Sequence, residues 1–513
     1  MMAGNETHRD ALTSNDIFSP VVLPCGSVLS NRLVKVAMYE HLASFFGGPP
    51  NDYHLRLYSE WAKHDWGMII TGNVQIMKDH GTLGRDMAIP ASLDADELLQ
   101  PFRELADAIH GVRSPCDGMR RNKTLAIMQL NHTGRQAANV IGGRLPFKPP
   151  LAPSAVRVGS GKDLGSRMLN TLLFQVPQAM SHTDVCFVMD RFVDGAILAH
   201  RTGFDGVQLH AAHGYLLAQF LSPKTNLRTD CYSNDNALDI IRSIAERIRK
   251  STSKEFAICI KLNVADYLPS ASPTFLSEGE KKAIQHLLTL AYWGLFDIVE
   301  VSGGDYESPD FMSTPDSQSS KSARAALFSR FSHQALQALD NIRDTCNGDV
   351  PLILLTGGLR TPRLMCSALS ARHADLLGVG RGSVLCPDLP SLLRERLEGG
   401  AQWYDVPFCN EPDLRRPWLM EVRPFIWIWN LLPKVNLVGA GVAIAWYTVA
   451  MRNIANAPAD APAGSHQPMG LGSLQVLLSM YFWTPYCRTR SSFISFCFLL
   501  FLGIFFHRLF YML

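Results

Sequence analysis

Between about residues 30 and 390 the chain alternates short, solid apolar runs with amphipathic stretches. The runs fall at 33–38, 67–71, 125–130, 206–210, 256–262, 298–302, 352–356 and 376–380. Uninterrupted runs this short read as strands covered on both faces. The intervening stretches follow a helical period; in 237–251, Ile240, Ile241, Ile244 and Ile248 share one side. Eight such alternations predict a parallel (β/α)8 barrel, with a doubly wound sheet as the structural alternative. Residues 21–29 read as a hairpin ahead of the first strand, 111–123 as a surface insertion, and the Pro- and Gly-rich stretch 139–182 as an excursion covering the substrate face.

The pattern divides the chain into a flexible N-terminus (1–16), a barrel (17–400), a C-terminal helical extension (401–456, helical over 433–456) and a last segment (457–513). That segment opens with an Ala- and Pro-rich linker and ends in an apolar tail. Its uncharged stretch 493–506 is shorter than the roughly 18 residues of a membrane-spanning helix, and His507 and Arg508 interrupt its continuation. A membrane contact through 471–513, a disordered appendage and a wrong exon boundary are the competing readings. The last fits best, because the tail has neither caps nor an amphipathic period.

Composition narrows the class. A hydrophobic fraction of 47% against 18% charged residues fits a globular chain with a sizeable core, and a net charge of +2 gives no reason to expect nucleic acid as a partner. Eleven cysteines without a Cys-x-x-Cys pair read as reduced thiols. The polar start carries no apolar run of a secretory signal, so a cytoplasmic location is expected.

The densest chemistry lies at the end of the fourth run, where His210, His213 and Tyr215 fall within six positions around Gly214. Imidazole N–H groups hold a carbonyl oxygen and a phenol delivers a proton, a combination that points to an enzyme. Two histidines without a third ligand make a poor metal site. Gln129 is a polar residue inside an apolar strand and needs partners there. Lys261, in an equally apolar strand, either stabilises an anion on a bound cofactor or pairs with a carboxylate such as Glu300. Gly357 and Gly358 follow the seventh run, and Gly380 and Arg381 the eighth, where such barrels hold phosphate.

At these residues the chain resembles the Old Yellow Enzyme family, in particular its fungal NADH:flavin oxidoreductase/NADH oxidase branch. The continuous stretch 203–230 carries most of the likeness, supported by Asn31-Arg32-Leu-Val-Lys-Val-Ala37-Met38, Gln129-Leu-Asn-His-Thr-Gly134-Arg135, Thr356-Gly-Gly-Leu-Arg360-Thr361 and Gly378-Val-Gly-Arg381. Residues up to 456, with Ala445-Trp-Tyr447, also resemble this branch. The resemblance implies FMN at the barrel mouth and NADH or NADPH as reductant. Ala37, Met38, Gly72, Gln129 and Lys261 would contact the flavin ring, and Gly357, Gly358, Gly380 and Arg381 its phosphate. Tyr39 stands where relatives carry Thr or Cys, and its bulk would displace the flavin, narrow the pocket or point away. His210 and His213 would bind the carbonyl oxygen of an enone or enal, and Tyr215 would protonate its α carbon after hydride reaches the β carbon, in a ping-pong cycle. Fatty enoyl compounds, quinones, terpenoid enals and intermediates of secondary metabolism all fit that substrate class, and a homo-oligomer is compatible with it. Two other readings stand beside the ene-reductase: an FMN-binding scaffold with little turnover, motivated by Tyr39 and the insertion, and a phosphate-binding barrel aldolase or isomerase.

Overall fold

The structure, a computed structural model, describes residues 16–111, 124–145, 148–159, 173–264, 278–303, 318–346, 349–412, 436–458 and 471–483. Eight parallel strands form the barrel: β1 (Leu33–Lys35), β2 (Met68–Ile70), β3 (Leu125–Asn131), β4 (Gly206–Ala211), β5 (Ala257–Asn263), β6 (Ile298–Ser302), β7 (Leu352–Thr356) and β8 (Leu376–Val379). Each pairs with the next, and β8 pairs with β1, so the sheet closes. All eight fall on the expected apolar runs, and β6 and β7 match them end to end. The sheet is therefore a (β/α)8 barrel rather than an open doubly wound one. The predicted 237–251 helix is present as Ala237–Ser251, with Ile240, Ile241, Ile244 and Ile248 buried against the barrel side.

The barrel interior is layered. At its N-terminal end the hairpin Val21–Val22/Val28–Leu29 caps an apolar cluster that includes Leu23, Cys25, Val34, Met68, Ile127 and Leu354. One layer further along, the interior turns polar. Gln129 Nε2 donates to Gln208 Oε1 at 2.6 Å, Gln208 Nε2 donates to Glu300 Oε2 at 2.8 Å, and Thr356 Oγ1 donates to Glu300 Oε1 at 3.0 Å. Lys261 Nζ completes the network 2.9 Å from Glu300 Oε1. Strand register makes this possible: Gln208 lies beside Gln129, and Lys261 beside Glu300. Five strands contribute groups whose burial is tolerable only because each satisfies another.

The helical extension is present as Asn436–Asn456, packed on the Asp52–Ala62 helix. Part of the last segment lies among the described residues. Ser473–Tyr481 is a helix lying on Asn436–Asn456, and its carbonyl end is held by buried arginines. Arg452 donates to Ser479 O at 2.7 Å and Met480 O at 2.9 Å, and Arg85 donates to Trp483 O at 2.7 Å. Guanidinium groups at a helix C-terminus satisfy its orphan carbonyls and complement its dipole. Residues 471–483 thus belong to the folded body, which differs from the expectation of a detached tail. The insertion (apart from Gly111), the 459–470 part of the linker and the apolar stretch from 484 onward lie outside the described residues. Among the described residues, no helix is long and apolar enough to cross a membrane.

Many histidines are buried neutral. Burial holds His41, His132 and His210 well below the ordinary imidazole range, and lowers His54 to about 3 and His286 to about 4. The unfolded chain takes up protons near the ordinary imidazole pKa while the folded one does not, so this stability is complete above about pH 6.5 and is lost as pH falls below it. Glu40 and Asp86, raised by burial, act in the opposite sense but are fewer. Thermal unfolding is expected to shift to lower temperature as pH drops from about 7.5 to about 5.5; a flat profile would show the buried histidines to be thermodynamically silent.

Candidate active site

A cavity of about 330 Å³ opens at the C-terminal ends of the strands. Ala37, Met38, Tyr39, Gln129, His210, His213, Tyr215, Lys261, Gly357, Gly358, Gly380 and Arg381 all line it. Gly72 does not: its N–H is shared between Glu40 Oε1 at 2.8 Å and Tyr58 Oη at 2.9 Å behind the wall, and its neighbour Asn73 reaches the cavity instead.

The backbone after β4 gathers the histidines and the phenol. His213 has φ 57° and Gly214 φ 68°, two consecutive left-handed residues that fold the chain back on itself. Such a conformation is unfavourable for a non-glycine residue and persists only where its surroundings enforce it. Gln136 Nε2 donates to His213 O at 2.8 Å, and the His213 ring meets Ser302 Oγ at 2.9 Å through Nε2. The resulting ring centroids lie 5.0 Å apart for His210–His213, 4.8 Å for His210–Tyr215 and 6.4 Å for His213–Tyr215.

The state of His210 follows from its contacts. Its Nδ1 accepts the Ala212 N–H at 3.3 Å, which leaves the ring proton on Nε2. Burial and then the neighbouring Lys261 charge hold the imidazole well below its usual pKa. A neutral imidazole with Nε2–H is a hydrogen-bond donor suited to an oxygen that gains negative charge.

Tyr39 adopts a definite position in the wall. Its hydroxyl lies 3.4 Å from Asp86 Oδ2 and accepts the Arg85 N–H at 3.3 Å, and its ring meets His41 edge-on at 5.6 Å. Burial, then Asp86, pushes its pKa well above the ordinary value, so it stays protonated. The phenol is thus tied to the β2 side of the rim by its own hydrogen bonds.

The opposite end of the cavity is cationic. Gly357 and Gly358 have φ 111° and 76°, conformations that glycine adopts without strain. Arg381 Nη1 and Tyr447 Oη are buried with no hydrogen-bond partner. Tyr447 comes from the Asn436–Asn456 helix, so the extension supplies part of the site. Unpaired buried donors are costly and mark a place built for a polar ligand.

Sequence reasoning assigned no role to Ser302, Asn73, Glu411 or Tyr447. Ser302 ends a predicted strand and was locatable on that ground. Asn73 and Glu411 have no motif and are recruited by tertiary structure, and Tyr447 lies in the Ala445-Trp-Tyr447 likeness, which gave it no role.

Residues 16–399 match the NADH:flavin oxidoreductase / NADH oxidase family. Over 375 residues the chain is 35% identical to the NADH-dependent flavin oxidoreductase iliE of Neonectria sp. (strain DH2), covering 72% of this chain and 46% of that protein. It is 34% identical over 372 residues to the NADH-dependent flavin oxidoreductase iccE of Talaromyces variabilis, covering 72% and 84%. The chain thus spans less than half of the first relative and most of the second. Among solved structures, the old yellow enzyme homologue from Zymomonas mobilis aligns over 74% of this chain and 93% of its own, with a TM-score of 0.53 and 20% identity. Morphinone reductase in complex with tetrahydroNAD aligns over 77% and 92%, with a TM-score of 0.55 and 20% identity. At that identity the likeness is one of fold. The extent of the family match and the identity to its fungal members together show that this chain belongs to the NADH:flavin oxidoreductase / NADH oxidase family, the Old Yellow Enzyme group of flavin-dependent oxidoreductases.

Proposed function

We propose that the protein is an FMN-dependent ene-reductase that uses NADH or NADPH to reduce the C=C bond of α,β-unsaturated carbonyl compounds. The observation that carries this reading is the convergence of His210, His213 and Tyr215 at the same cavity mouth as Gln129 and Lys261. The residues present fit FMN on independent grounds, since the cavity's far end holds two buried donors with no protein partner, Arg381 Nη1 and Tyr447 Oη. Ala37, Met38, Gln129 and Lys261 would hold the ring, and Gly357, Gly358, Gly380 and Arg381 the phosphate. FMN held there would supply the hydride chemistry that links nicotinamide oxidation to alkene reduction.

The chain's own groups divide the remaining work. His210, through Nε2–H, and His213 bind the substrate carbonyl oxygen and stabilise the charge it acquires. Ser302 holds the His213 ring by the 2.9 Å contact, making it a positioning residue. Tyr215, 6% exposed, delivers its phenolic proton to the α carbon as general acid. Tyr39, fastened to Asp86, narrows one side of the entrance and favours slim substrates.

The test is steady-state kinetics with purified protein, NADH and a cyclic enone. Parallel double-reciprocal lines and consumption of one NADH per alkene support the ping-pong scheme. NADH oxidation independent of the enone under anaerobic conditions, or intersecting lines, would sink it.

A further inference from the structure

The phosphate end of the cavity already contains an anion. Glu411 Oε1 accepts from Arg360 Nη2 and lies 3.8 Å from Arg381 Nη2. Its carboxylate lines the cavity between the two guanidinium groups that follow β7 and β8. The segment carrying it is pinned to the β7 loop, because Phe408 N donates to Arg360 O at 3.0 Å. Arg381 therefore spends one edge on Glu411 while its Nη1 stays buried without a partner, and the buried Tyr447 hydroxyl beside it is equally unpaired. A phosphate carries more charge and more acceptor oxygens than a carboxylate and would satisfy all three donors. Both anions cannot occupy one partly buried pair of guanidinium groups without strong repulsion.

We propose that Glu411 holds the place of the cofactor phosphate, that FMN binds by displacing this carboxylate from Arg381, and that the Tyr447 hydroxyl donates to the incoming phosphate. Resting on the FMN reading, this assigns two residues of the C-terminal extension to cofactor recognition. Glu411 keeps the two arginines compensated before the cofactor arrives and weakens FMN by competing with it. Tyr447 rewards the phosphate in particular, since the carboxylate leaves it unpaired. The exchange makes affinity depend on the phosphate rather than on the ring.

The test compares FMN with riboflavin, which has the same ring and no phosphate. Affinities are read from quenching of flavin fluorescence on cofactor-stripped wild-type protein, Glu411→Gln and Tyr447→Phe. Glu411→Gln is expected to tighten FMN about tenfold, equivalent to about 1.4 kcal/mol, and Tyr447→Phe to weaken it several-fold, with riboflavin unchanged in both. Retained riboflavin affinity shows that each variant is folded. If Glu411→Gln leaves the FMN-to-riboflavin ratio unchanged or lowers it, the exchange is wrong while the FMN reading stands. If wild-type protein binds neither flavin, both fall together.

Discussion

Replacing Tyr215 by phenylalanine is expected to slow alkene reduction by about a hundredfold or more while leaving reduction of the bound flavin by NADH nearly unchanged. A positioned general acid contributes roughly 10²–10⁴ to rate, and phenylalanine keeps the ring's packing while removing the proton. The packing matters because the ring is 6% exposed and lies edge-on to His210 at 4.8 Å. Stopped-flow measurement of the two half-reactions separates the effects. Loss confined to the alkene step identifies the phenol as the proton donor. Equal loss in both steps would mean that Tyr215 instead shapes the shared binding site, and no loss would move the proton to solvent or another group.

The second large effect concerns stability. Glu300→Ala is expected to destabilise the fold by about 3–5 kcal/mol, the usual consequence of removing one partner of a buried ion pair. Glu300 is fully buried and accepts from Gln208, Thr356 and Lys261. Removing it leaves a lysine charge inside the barrel and two hydrogen-bond donors without acceptors. Glu300→Gln keeps one acceptor oxygen and is expected to cost less. Denaturant titration of both variants checks this; a loss below about 1 kcal/mol for the alanine would mean that water enters the barrel and screens Lys261. The consequence reaches function, because Lys261 lines the cavity and is held by its ion pair with Glu300 behind it.

The barrel was legible because its strands are covered on both faces and read as unbroken apolar runs; β6 and β7 end where those runs end. The first strand is shorter than its run. It stops at Lys35, whose ammonium turns outward to lie 4.1 Å from the Trp61 ring centroid, and the chain beyond it leaves the sheet for the cavity rim. The cluster of His210, His213 and Tyr215 was legible because a single left-handed turn brings together residues that are neighbours in sequence. Of the two alternatives for Lys261, the pairing with Glu300 is present, and the residue also lines the cavity. Tyr39 was visible as an oddity, yet its direction depends on Asp86 and Arg85, more than forty positions away. Glu411 and Tyr447 were illegible for the same reason. Glu411 lies on a segment with no motif, and Tyr447, though part of the Ala445-Trp-Tyr447 likeness, carries no role there; both meet Arg381 only because the extension packs back over the barrel mouth. The ordered helix Ser473–Tyr481 escaped because its anchors are its own carbonyls, which no side-chain pattern reveals.

The decisive observation is spectroscopic. Purified protein should show the absorbance of oxidised flavin, bleach on anaerobic addition of NADH or NADPH, and recover its colour when an enone is added without oxygen. A folded protein that binds no flavin, or one whose bleached flavin no enone restores, would contradict the assignment of this barrel mouth to alkene reduction.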